Sequence, residues 1–154
     1  MRKQLVVWMS RALVVTGGLA GAACGGGSEF VVRGTEKSVG IDGVIAMTHQ
    51  QEDVNLVTVD LVNLPPAERH DRNKKYFIVW LTPAEGTVIK AGRLAYDADA
   101  RRGVLRATIP TDQVFVQVTA ESLPDAATPS DFVIVSKHVS IKRAGDEGET
   151  GASL

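Results

Sequence analysis

Short runs rich in Val, Ile, Leu, Phe and Thr recur from Phe30 to Ile141, separated by Gly, Pro, Asn and Asp, and no segment sustains a helical period. That pattern restricts the chain to strands joined by turns. Strands are expected near Phe30 to Arg33, Val39 to Met47, Val54 to Leu64, Lys75 to Thr82, Thr87 to Tyr96, Val104 to Ile109, Val114 to Ala120 and Phe132 to Ile141.

Several of these runs alternate. Val57, Val59 and Leu61 share one face, as do Leu105, Ala107 and Ile109, and Val114, Val116 and Val118, so each strand buries one side and wets the other. Tyr76-Phe-Ile-Val-Trp-Leu81 is apolar on both faces and reads as a central strand with one side in the core and the other covered or partly exposed. About eight strands at this spacing predict an all-β fold, two antiparallel sheets packed as an immunoglobulin-like β-sandwich with Trp80 as its central aromatic. A small barrel is the competing architecture. Pro65-Pro66 and the polar residues after them form a long connection that a strand would not tolerate.

Ahead of the strands the chain reads as an export leader. Arg2 and Lys3 precede an apolar stretch, Arg11 interrupts it, and Ala12 to Ala23 ends in small residues before Cys24, the only cysteine. The run between Arg11 and Cys24 is shorter than the roughly 20 residues a spanning helix needs, and Gly17-Gly18 weakens it further. Leu19-Ala-Gly-Ala-Ala23 followed by Cys24 resembles the lipobox of bacterial lipoproteins, which implies cleavage of residues 1–23 and acylation of Cys24. One position departs from that pattern: Gly21 stands three residues before the cysteine, where leucine is usual. Ala20-Gly21-Ala22 also suits an ordinary signal peptidase, which would release a soluble secreted or periplasmic protein. Met9 is an equally good start for a short leader. Residues 24–29, with Gly25-Gly-Gly-Ser28, are expected to form a flexible tether, residues 30–142 the sandwich, and residues 143–154 a disordered polar tail. Gly25 lacks the aspartate that resembles an inner-membrane retention signal, which favours the outer membrane where a cell has one.

The leader also decides the charge. The whole chain carries 17 Lys+Arg against 18 Asp+Glu, a net charge of −1, and losing Arg2, Lys3 and Arg11 takes it to −4. Nucleic acid is therefore not an expected partner. With Cys24 committed to lipid the domain has no disulfide, and hydrophobic packing must hold it.

From Asp53 to Val135 the sequence resembles the extracytoplasmic domain of anti-sigma-K factors of the RskA type. The resemblance rests on Tyr76 with Val79-Trp80-Leu81, Ala91-Gly92, the acidic turn Asp97-Ala-Asp99, Val116-Gln-Val-Thr-Ala-Glu121, and Pro129 leading into Val133-Ile-Val135. It implies a β-sandwich outside the membrane and a sensory or protein-binding role. Neither a sigma-binding segment before the leader nor a spanning segment after Ile141 is read from the sequence. No anti-sigma activity and no binding residue is carried over.

Catalytic and metal constellations are not apparent. Asp97-Ala-Asp-Ala-Arg-Arg-Gly103 opens like a calcium loop, but Arg101 and Arg102 fall where ligands and glycine belong, and a hairpin turn is the better reading. His49, His70 and His138 lack the spacing of a zinc set. Ser136 and His138 share a strand face without a nucleophile elbow. Tyr76, Phe77, Trp80 and Tyr96 could form a binding platform, though core positions suit them better. Arg69, Arg72, Lys74 and Lys75 form the densest basic stretch and are the candidate interaction surface, for phosphate headgroups or an acidic partner, with Asp71 among them pointing instead to a solvated loop. The expectation is a non-enzymatic envelope protein with no cofactor, held to a membrane by lipid and binding another envelope protein.

Overall fold

A computed structural model of the chain describes residues 27–141, so residues 1–26 and 142–154, Cys24 among them, lie outside the described residues. Nine strands follow in order: β1 (Gly27–Arg33), β2 (Asp42–Gln51), β3 (Val54–Val62), β4 (Tyr76–Pro83), β5 (Ile89–Arg93), β6 (Ala95–Asp97), β7 (Arg102–Ile109), β8 (Gln113–Glu121) and β9 (Val133–Ser140). They form a five-stranded sheet in the order β1-β2-β3-β7-β6 and a four-stranded sheet in the order β5-β4-β8-β9. Every pairing is antiparallel.

Alternation along the strands builds the core between the sheets. Ile45 and Met47 of β2, Val57, Val59 and Leu61 of β3, and Leu105 and Ile109 of β7 join Phe77, Val79 and Leu81 of β4 and Val114, Val116 and Val118 of β8 in one buried cluster. Each aliphatic side chain fully buried in this way contributes about 1.5–3 kcal/mol. In the absence of a cross-link, this burial is the main source of stability.

Three features differ from the sequence-based expectations. The run Thr87 to Tyr96 is two strands: Ile89–Arg93 pairs with β4 and Ala95–Asp97 with β7, the chain changing sheets at the buried Leu94, whose N–H donates to Phe77 O at 2.9 Å. Gly92, at φ 144°, supplies the backbone conformation this crossing needs, and a Cβ there would meet Leu105 Cδ1 at 3.1 Å. β1 begins at Gly27, so Gly27, Ser28 and Glu29 pair with Thr48, Met47 and Ala46 instead of extending the tether. An unpaired β2 edge offers their N–H and C=O groups partners, which outweighs the local preference of glycine for freedom. The third concerns Trp80, which is 1% exposed but sits on the opposite face of β4 from Phe77, Val79 and Leu81. It is buried outside the inter-sheet core.

The β1–β2 connection is fixed by side chains. Thr35 Oγ1 donates to Val133 O at 2.7 Å and Ser38 Oγ to Ile134 O at 2.6 Å, which ties residues 35–38 to the start of β9. Gly34 permits the turn: a Cβ at that position would lie 1.9 Å from Ser38 O, a backbone atom that cannot swing aside. Gly34→Ala should therefore destabilise the domain by about 1–3 kcal/mol, the usual cost of overpacking, read as a lower urea midpoint with an unchanged slope. An unaltered midpoint would show that the turn shifts freely.

Candidate interaction surfaces

The connections between strands gather at two distinct ends of the sandwich. At one end lie Gly27, paired with Thr48, the β2–β3 turn at Glu52 and Asp53, the β4–β5 connection after Pro83, the β7–β8 turn and the finish of β9. Asn55, fully buried, ties this end together: Nδ2 donates to Thr111 O at 2.8 Å and to Asp112 Oδ1 at 3.0 Å. At the other end are the β1–β2 connection, the long β3–β4 connection, the β6–β7 turn and the β8–β9 connection.

The candidate cations occupy the second end. Pro66 precedes a single helical turn, α1 (Ala67–His70), anchored by the buried Ala67, and the chain then bends as Asp71 Oδ1 accepts the Asn73 N–H at 2.8 Å. Arg69, Arg72 and Lys75 are exposed on this connection, with Glu68 and Asp71 exposed beside them. Lys74 differs: it is half-buried, and its Nζ donates to Ser130 Oγ at 3.3 Å. The four residues thus divide into three solvent-facing cations and one clamp. The ion pairs recorded among the described residues are Lys37–Asp131 and Asp60–Arg102, and neither draws on this set.

The residues missed by sequence reasoning lie on the outer face of the four-stranded sheet. Trp80 Nε1 donates to Thr119 Oγ1 at 2.8 Å, and Thr119 Oγ1 donates in turn to Glu121 Oε1, which also accepts the Ser130 N–H at 2.8 Å. Thr119 and Glu121 are both buried. The β8–β9 connection crosses this face to reach β5, where Lys90 Nζ donates to Pro124 O at 2.9 Å and Ala126 O at 3.2 Å. A polar, proline-bearing segment therefore roofs Trp80 and Ile78. The only signal in the sequence was that Thr119 and Glu121 share the alternation of the β8 positions facing Ile78 and Tyr76.

The other aromatic candidates do not make a platform. Phe77 is in the core, Tyr96 rests edge-on against it at 5.4 Å and donates its hydroxyl to Leu64 O at 2.9 Å, and Tyr76 lies 5.6 Å beneath the Arg93 guanidinium. The acidic turn at Asp97 is a hairpin: Asp97 Oδ1 accepts the N–H groups of Asp99 and Ala100, both at 3.0 Å, and Arg101 takes φ 50° before β7 begins.

The histidines are not gathered. His49 faces Asn55 Oδ1 at 3.2 Å in the first end, His138 stacks on Phe115 at 4.6 Å on the outer face, and His70 packs against Phe77 and Phe132 in the second end. No cluster of three metal-ligating side chains occurs among the described residues.

His70 has a measurable consequence for stability. Burial of the ring lowers its pKa below the ordinary 6.5, the Lys37 backbone opposing that shift, and Nε2 meets no hydrogen-bond partner among the described residues. A folded-state pKa below the unfolded one means that the unfolded chain takes up the proton first. Stability should fall as pH drops below about 6.5 and level off once the folded imidazole protonates. Asp60, whose carboxyl is held low by its hydrogen bond from Arg102, acts in a different window, losing its contribution only below its ordinary 3.8. Urea midpoints between pH 7 and pH 5 should therefore flatten in His70→Leu and keep their slope in Asp60→Asn. The reverse would overturn the assignment.

At the first end, two shallow grooves flank Pro83 and Ala84. One, of about 550 Å³, runs between Ile89 and the Ile109-Pro110 turn, and the other, of about 530 Å³, runs toward Phe115 and His138. Val54, Val88 and Ile89 are exposed here. Comparison with protein-family models, curated proteins and solved structures gives no match for the chain. Among the described residues no helix is long and apolar enough to cross a membrane.

Proposed function

We propose that this chain is a non-enzymatic lipoprotein of the bacterial envelope, anchored through acylated Cys24, whose immunoglobulin-like sandwich binds an acidic protein partner. The export leader and the small residues before Cys24 support the anchor. The strand orders β2-β3-β7-β6 and β5-β4-β8-β9 support the finer fold reading, because they follow the ABED and C′CFG orders of immunoglobulin domains with β1 added at one edge.

The observation that carries the binding reading is the position of Arg69, Arg72 and Lys75, exposed on one connection at the end opposite Gly27. A chain tethered just before Gly27 turns that end away from its own membrane. An acidic protein surface then fits these cations better than the phosphate headgroups of the anchoring leaflet. The resemblance to RskA-type extracytoplasmic domains supports the same kind of role, a module that meets an envelope partner and passes on a signal.

Affinity capture from crosslinked, intact envelopes tests this. A partner should be recovered with the parent chain, reduced at least tenfold with Arg69→Glu/Arg72→Glu/Lys75→Glu, and reduced with Cys24→Ser. Equal recovery with the charge-reversed chain would overturn the assigned surface.

A further inference from the structure

We infer that the end of the sandwich carrying Val54, Val88 and Ile89 rests against the lipid bilayer, so that the domain stands upright on its anchor. This rests on acylation of Cys24. Gly27 is already paired with Thr48, which leaves only Gly25 and Gly26 between the acylated residue and the sheet. Three Cα steps reach about 10 Å at full extension, so the sheet end bearing Gly27 cannot leave the headgroup region.

The register shows what else is held there. Gly27 lies opposite Thr48, three residues before β2 ends at Gln51, after which Val54 opens β3 and Asn55 pairs with Ile109. Asn55 bonds to Thr111 and Asp112, Ile141 N–H donates to Asp112 O at 3.0 Å, and Val114 pairs with Pro83. Ile89, opposite Leu81, completes the rim. Three large apolar residues are exposed on it: Val54 at 38%, Val88 at 47% and Ile89 at 46%.

Charge identifies the mode of contact. Residues 48–55, 83–89 and 109–113 contain no lysine or arginine but include Glu52, Asp53, Glu85 and Asp112. These turns offer no cation to anionic headgroups, Lys142 and Arg143 following Ile141 being the nearest in sequence, and the contact the turns make is apolar seating at the boundary of headgroups and acyl chains. Zwitterionic lipid isolates that apolar contact from charge attraction. Lys37, Arg69 and Arg72, by contrast, gather at the far end.

The test uses the full lipidated protein in phosphatidylcholine vesicles, with single cysteines introduced at Val88 or at Val39, which is 84% exposed on the β1–β2 connection. Acylation leaves Cys24 without a free thiol, so an environment-sensitive fluorophore marks only the new site. A spin-labelled lipid quencher near the headgroups should quench the Val88→Cys probe at least threefold more than the Val39→Cys probe. Inserting ten Gly/Ser residues between Gly26 and Gly27 should narrow that difference. Equal quenching in protein that floats with vesicles would overturn the orientation while leaving the anchor intact. Failure to float, with no lipid on the protein, would overturn both.

Discussion

Trp80→Ala should destabilise the domain by about 3–5 kcal/mol, a loss in the range for deeply buried aromatics and a large part of the roughly 5–15 kcal/mol that holds such a domain together. An aromatic on the outer face of a sheet would ordinarily be a surface residue, whose replacement costs within about 0.5 kcal/mol. Here it is 1% exposed under the β8–β9 connection and begins the hydrogen-bond chain through Thr119 to Glu121 and the Ser130 N–H. Alanine would remove the packing and leave the roof over a void. Trp80→Phe should cost less, about 1–2 kcal/mol, because it keeps most of the buried area and leaves Thr119 still donating to Glu121. The readout is direct: Trp8 precedes Cys24, so Trp80 is the only tryptophan of a chain cleaved before Cys24. Its emission in the parent should be blue-shifted and resistant to acrylamide. A Trp80→Ala loss below 1 kcal/mol, or ready quenching of the parent, would show that the connection does not cover it.

Trp80 also marks where the sequence stopped being legible. On β3 the apolar face was unambiguous, since Val57, Val59 and Leu61 alternate with Thr58 and Asp60, and all three are in the core. On β4 both faces are apolar, so alternation shows that Phe77, Val79 and Leu81 oppose Ile78 and Trp80 without showing which set meets the other sheet. The answer depends on residues 122–132, which are polar and proline-bearing and carry no sequence signature of a cover. Two sheets of antiparallel strands were therefore readable, and the second small buried layer outside them was not.

The split at Leu94 was hidden for a related reason. An apolar residue that pivots between sheets looks the same as one that continues a strand. The basic connection was legible as a stretch, but only the fold separates Lys74, which holds Ser130, from Arg69, Arg72 and Lys75, which face solvent. The apolar rim at Val54, Val88 and Ile89 falls on three turns distant in sequence and becomes a surface only through the register. Cys24, on which the proposed anchor rests, was read wholly from its sequence context and lies outside the described residues.

Cys24→Ser should move the protein from the membrane to the soluble fraction, lowering the membrane-bound share by more than about tenfold. Each methylene of an acyl chain buried in the bilayer contributes about 0.8 kcal/mol, so two or three chains hold durably where one is marginal. The apolar rim cannot replace them, being three side chains with acidic neighbours. Thermal unfolding should be unchanged by the substitution, because Cys24 precedes Gly27, the first paired residue among those described. Retention at the membrane after Cys24→Ser would place the attachment elsewhere.

Mass spectrometry of the N-terminal peptide of protein purified from envelopes tests the anchor most directly. Anchoring through Cys24 requires a peptide that begins at Cys24 and carries two or three acyl chains. A peptide beginning at Cys24 or later without lipid, or one that retains residues 1–23, would contradict it.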